Sequence, residues 1–160
     1  MPNKHRRARE GRTDYRRRLS HLKGRQPRLV VRRTLNNITA SIVRYEPDGD
    51  NVIASYQSSN LRKRGWKHAT GNLPAAYLTG YLAAKRAIEH GINEAILDIG
   101  RHPPIAGTRI FAALKGALDA GMHIPHAANV LPTDERLKGA HIEAHLKKKI
   151  TDDIETIKNT

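Results

Sequence analysis

The chain contains no cysteine, which excludes disulfides and thiolate zinc sites. Aromatic residues make up only 4% of it, with one Trp and one Phe. A single-strand binder that stacks successive bases on aromatic platforms needs more. No window approaches about 18 consecutive apolar residues, so a membrane span is not expected. The basic N-terminus leads into no apolar stretch, which argues against a secretory signal, and a cytoplasmic protein is expected. Acids are scarce, at 15 against 29 lysines and arginines, giving a formal charge of +14. There is no Gly-rich phosphate loop, cofactor fingerprint or nucleophile–base pair.

The positive charge that is present gathers at one end. Residues 1–33 hold thirteen basic side chains against two acids, Glu10 and Asp14, and so carry +11 of the +14. The thirteen are Lys4, Arg6, Arg7, Arg9, Arg12, Arg16, Arg17, Arg18, Lys23, Arg25, Arg28, Arg32 and Arg33. Such a block beside a nearly neutral remainder points to a polyanion. Eleven of the thirteen are arginine, whose planar fork donates paired hydrogen bonds to phosphate. Nucleic-acid binding through a basic arm follows. Double-stranded RNA hides its base edges in a deep major groove, so phosphate and 2′-OH contacts are expected to dominate.

The rest of the chain reads as one small domain with tails. Residues 1–12 show no apolar periodicity and read as a tail ordered by its ligand. Thr13 offers a helix cap and Gly24 a stop, with Tyr15, Leu19 and Leu22 on one face between them. Leu29–Thr34, Ile38–Val43 and Val52–Gln57 read as strands. They are joined by Asn36-Asn37 and Pro47-Asp48-Gly49 turns into an antiparallel meander. Asn72 and Pro74 open a helix that Gly91 ends, its small residues Ala76, Gly80, Ala83 and Ala84 suggesting close packing onto the sheet. Glu94–Ile99 reads as a fourth, central strand, and a helix with Phe111, Leu114 and Leu118 inward ends at Gly121. Pro132-Thr133 caps a last helix from Asp134 to about Leu146, and residues 147–160 are weakly specified. The division is a basic arm with a short helix (1–25), an α/β RNA-binding domain (26–122) and a C-terminal extension with a helix (123–160).

Several positions allow two readings. Arg28, Arg32 and Arg33 are surface arginines or a strand edge presenting guanidinium groups to RNA. Asn36 and Asn37 form a turn or also touch a base edge or 2′-OH. Ser58, Arg62 and Lys63 belong to a polar stretch before Trp66, which is a packing residue or a stacking surface. Lys67, His68, Thr70, Gly71 and Asn72 precede a helix N-terminus, where free amides favour a phosphate. Arg101, His102 and Arg109 lie in or near the loop after the fourth strand, either a rigid Pro-Pro connection or a contact region. The histidine pairs His123/His126 and His141/His145 have ligand spacing, but no thiolate or carboxylate set completes them, and no metal or cofactor is expected. A nuclease is rejected because the first strand carries Arg32 and Arg33, the third carries no acid, and Asp98 stands alone on the fourth, where a basic neighbour is its expected partner.

Six blocks occur in order: Thr13-Asp-Tyr-Arg-Arg-Arg-Leu19, Pro27-Arg-Leu-Val-Val-Arg-Arg-Thr34, Gly65-Trp66-Lys67, Thr70-Gly-Asn-Leu-Pro-Ala-Ala-Tyr-Leu-Thr-Gly80, Ala95-Ile-Leu-Asp-Ile-Gly100 and Phe111-Ala-Ala-Leu-Lys-Gly-Ala-Leu-Asp-Ala-Gly121. Together they resemble the universal eighteenth large-subunit ribosomal protein family, which binds 5S rRNA. The Gly-Trp-Lys block and the extension from Ile124-Pro125 resemble the archaeal and eukaryotic branch, and the lack of a long C-terminal extension makes the archaeal type the expectation. The resemblance implies an α/β domain of ribonuclease-H-like topology. It implies a structural, non-enzymatic role in the central protuberance, tying 5S rRNA to the large-subunit rRNA beside neighbouring proteins that include the universal fifth large-subunit family. The RNA-contacting set expected from both lines of reasoning is the basic arm with Tyr15, the first-strand arginines, and the candidates around Asn36, Trp66 and Arg101. A non-ribosomal RNA chaperone using the same arm explains the charge but not the six blocks.

Overall fold

The computed structural model describes residues 6–146 and 150–159. The N-terminal segment forms helices α1 (Arg6–Arg9) and α2 (Tyr15–Lys23). Strands β1 (Arg28–Arg33), β2 (Ile38–Glu46) and β3 (Gly49–Gln57) follow, then a 3-10 segment, Ser58–Arg64. Helix α3 (Leu73–Glu89), strand β4 (Ile96–Asp98) and helix α4 (Arg109–Asp119) complete the central part. The chain ends with α5 (Asp134–Lys138), α6 (Ala140–Leu146) and α7 (Thr151–Asn159).

The first three strands form the expected meander, with Leu29 opposite Ile42 and Ile42 opposite Ala54. Strand β4 pairs parallel with β1, and the sheet order is β3-β2-β1-β4. β4 is therefore an edge, not the central strand its apolar run suggests. The run is covered another way: the Ala95 N–H donates to the His123 carbonyl at 3.1 Å, and Met122 and Ile124 are buried alongside.

Period-two alternation sends Leu29, Val31, Ala40, Ile42, Ala54 and Tyr56 to one buried face, under α3 and α4. Arg28, Val30 and Arg32 point to the other. Asn72 caps α3 as expected, its Oδ1 accepting from the Ala75 N–H at 2.8 Å. Helix α3 packs on β2 and β3 as expected, and its Gly80 serves the contact with α4. A Cβ at Gly80 would lie 1.9 Å from the Ala113 carbonyl oxygen, and one at Gly116 2.0 Å from that of Tyr77. The two backbones touch where these glycines meet.

Three terminal expectations change. Residues 6–9 form a helical turn instead of an unstructured tail, and the cap of α2 is Asp14 rather than Thr13, its Oδ1 accepting from the Arg16 and Arg17 N–H groups. The apolar face of α2 stays open, with Leu19 59% exposed. The single helix expected from Asp134 breaks at Gly139, whose φ of 83° ends α5 in the left-handed region. Helix α7 was not anticipated, although Ile150, Ile154 and Ile157 recur at i, i+4, i+7. All three are buried against the same core, and Glu143 accepts the Ile150 and Thr151 N–H groups at the start of α7.

Candidate nucleic-acid interface

Placing Arg28 and Arg32 on one strand face creates a problem that two distant carboxylates solve. Arg28 is almost fully buried. Its Nη1 donates to Asp98 Oδ2 at 2.9 Å, and its Nη2 lies 2.8 Å from Asp50 Oδ2 in a charge contact without hydrogen-bond alignment. Asp98 also accepts from Arg32 Nη2 at 3.0 Å and from the Gly100 N–H at 2.8 Å. Asp50 receives Arg18 through both oxygens at 2.9 Å. A chain Arg18–Asp50–Arg28–Asp98–Arg32 thus ties α2 to β3, β1 and β4. Burial would raise the Asp98 carboxyl, but Arg32, the Gly100 N–H and Arg28 outweigh it and hold it below the ordinary aspartate value. Asp50 is lowered in the same way, burial being outweighed by Arg28 and Arg18. Asp98 finds the basic partner expected of it. The third strand, however, does bring an acid: β3 begins three residues earlier than expected and carries Asp50. The Arg28 guanidinium lies between the two carboxylates.

Arg17 Nη1 donates to the Gly100 carbonyl at 3.0 Å, so the Arg18–Asp50 ion pair and this bond to backbone tie α2 to the sheet, while Leu19 stays exposed. Between this segment and the sheet end lies an open groove of about 750 Å³. It is lined by Arg7, Arg12, Arg17, Arg18, Arg32 and Arg101, with His21 and His102. Its acids are Asp14, Asp50 and Asp98. Asp14 caps α2 and the other two are bonded to arginine, so the groove keeps an excess of guanidinium. His102 is held below the ordinary histidine value, first by burial and then by Arg33, Arg32 and Arg109 around it. Arg109 Nη1 donates to the Gly71 carbonyl at 2.9 Å and reaches that of Leu35 at 3.4 Å.

The structure brings the arm, Arg32, Arg101 and His102 together, and leaves Arg9, Arg16, Lys23, Arg25, Arg33, Asn36, Arg62, Lys63 and Lys67 exposed. Arg6 pairs with Glu10, and Tyr15 is 37% exposed. Lys4 lies outside the described residues. Several candidates are withdrawn from the surface. Arg28 is buried between two carboxylates. Ser58 is buried, its Oγ accepting the Ile38 N–H at 2.9 Å. Trp66 is core, 2% exposed, its indole N–H donating to the Ala69 carbonyl. Thr70 is buried and donates to Asn36 O and Asn37 Oδ1, which engages Asn37 as well. His68 contacts Asp153 of α7 at 3.0 Å, and Asn72 is used as a cap. In the loop before α3, Thr70 is spent on the β1–β2 turn, His68 on α7 and Asn72 on its own helix, while Lys67 stays exposed. Asp50 is the residue sequence reasoning missed, since nothing local marks it as the partner of Arg18 and Arg28.

The family described as "Ribosomal large subunit proteins 60S L5, and 50S L18" matches residues 2–93 and 89–127. The large ribosomal subunit protein uL18 of Korarchaeum cryptofilum (strain OPF8) is 53% identical over 145 residues, spanning 91% of this chain and 74% of the relative. With most of its length accounted for in this way, and an arginine-lined groove suited to a ribosomal polyanion, the chain belongs to the family of large-subunit ribosomal proteins 60S L5 and 50S L18.

Proposed function

We propose that this ribosomal protein binds 5S rRNA and fastens it to the large-subunit rRNA in the central protuberance, beside a protein of the universal fifth large-subunit family. The observation that carries the reading is the groove, where arginines outnumber carboxylates and each carboxylate is already engaged. Phosphates are the ligand that completes such a site. The ion-pair chain orients the arm before RNA arrives, which reduces the ordering cost of binding. The engagement of Asp50 and Asp98 by Arg28 supports a structural rather than a catalytic role, since a two-metal site needs carboxylates free to converge on the ions. The sheet order β3-β2-β1-β4, with β4 parallel to β1, supports the ribonuclease-H-like topology that the resemblance implies.

Filter binding to a 5S rRNA transcript across a salt series tests this. With about eight phosphate contacts, log affinity falls with log salt at a slope of about −6 to −7. Replacing Arg7, Arg12, Arg16 and Arg101 by Gln lowers the slope by about 3 while the protein stays folded. An unchanged slope, or no preference for 5S rRNA over an unrelated RNA of equal length, refutes the proposal.

A further inference from the structure

We infer that Leu35 is an RNA-contacting residue, a rigid apolar tip that packs against an unstacked nucleotide of the ribosomal RNA. The inference rests on the proposed rRNA binding and names what one part of that interface recognises. Thr34-Leu35-Asn36-Asn37 joins β1 to β2, and Leu35 is 87% exposed, more than any other large apolar side chain among the described residues. A lone exposed leucine is ordinary. Two further observations separate this one from the background.

The first is the effort spent on holding its backbone. Within the turn, the Thr34 N–H donates to Asn37 O at 2.8 Å and the Asn37 N–H to Thr34 Oγ1 at 3.1 Å. From outside it, the Thr70 hydroxyl donates to Asn36 O at 2.8 Å, and Arg109 reaches Leu35 O while anchored on Gly71 O. Gly71 packs so closely that a Cβ there would stand 3.1 Å from the Asn36 carbonyl. Two other segments of the chain thus fix a turn whose apolar side chain faces outward.

The second is the surrounding charge. Arg33, Arg32 and Arg109 all act on His102, which places these cations at the same end of the sheet as the turn. No carboxylate among the described residues pairs with Arg33, Arg101 or Arg109. Arg32, Arg101 and His102 also line the arginine groove, so the field around Leu35 continues into it. An apolar tip with Arg33 two residues away and Arg109 reaching its own carbonyl, neither paired with a carboxylate among the described residues, fits an RNA better than an apolar protein face, because the phosphates supply the missing negative charge. Paired A-form RNA offers such a tip nothing, whereas a splayed base or its ribose presents an apolar face. Asn36, exposed beside it, carries an amide of the kind that bonds base edges.

The test compares wild type, Leu35→Ser and Leu35→Met in binding to 5S rRNA and, separately, to large-subunit rRNA. Leu35→Ser lowers affinity for one of them about tenfold, with the salt slope unchanged because no ion contact is lost. Leu35→Met stays within about twofold, and all three proteins melt together because the side chain is exposed. A photoreactive residue at position 35 crosslinks to rRNA in assembled large subunits. Equal binding by wild type and Leu35→Ser, or a crosslink to protein alone, overturns the inference while rRNA binding stands. Failure of the wild type to bind either RNA overturns the underlying reading instead.

Discussion

Replacing Asp98 by Ala tests the ion-pair chain on which the groove is built. The substitution takes the carboxylate 2.9 Å from Arg28 Nη1 away from a guanidinium that is 2% exposed. Removing one partner of a buried pair costs about 3 to 5 kcal/mol, because the remaining charge stays desolvated. Asp50 still stands 2.8 Å from Nη2, so the lower end applies, about 3 kcal/mol. For a chain of this size that is a fall in melting temperature of about 6 to 12 °C. The pH dependence has a definite sign. Asp98 is held below the ordinary aspartate value, so its stabilisation is present above about pH 4 and is lost as pH falls through its folded value. The gap between wild type and variant is therefore widest near neutrality and closes in acid. Thermal unfolding followed by circular dichroism from pH 7 to pH 3 measures both. The pair Arg28→Met with Asp98→Leu should recover most of the loss, since an apolar pair carries no desolvation cost. A single variant that melts within about 2 °C of wild type at pH 7, or a gap that widens in acid, refutes the reasoning.

Two further outcomes follow from the geometry. Gly80→Ala places a Cβ 1.9 Å from the Ala113 carbonyl, backbone that cannot swing aside. A loss of about 3 kcal/mol or more is expected by denaturant unfolding, and a neutral substitution would show that α3 and α4 are not so close. His102 sits below its ordinary value through burial and the arginines around it, so it is neutral at pH 7, and phosphates bound beside those arginines raise it again. RNA binding then takes up a proton, and affinity rises between about pH 7 and pH 5.5. His102→Gln removes that component, and identical pH profiles for the two proteins would exclude it.

The meander, α3 and α4 were legible because alternation, Asn72 and Pro74, and the flanking glycines are local signals. The edge position of β4 was not, because an apolar run records burial and not what provides it, here Met122 and Ile124. Trp66 was ambiguous for a similar reason: the residue type suits core and stacking alike, and only the surrounding packing decides. Helix α7 carried a readable isoleucine spacing, but nine residues are too few to commit on pattern alone. The loop Lys67–Asn72 looked like a phosphate site because a helix begins there. Thr70 instead faces Asn36 and Asn37, and His68 faces Asp153.

What the residues alone determined is the uneven charge, the succession of β1 to β4 with α2, α3 and α4 along the chain, and the family, since composition and short-range periodicity depend on neighbours along the chain. What only the folded chain decided is which arginines remain available to an anion. Arg28 and Arg32 share a strand face and cannot be told apart by pattern. Asp50 and Asp98, brought in from 22 and 66 to 70 residues away, bury one and leave the other 44% exposed. Charge pairing acts through space, at distances that only tertiary structure sets.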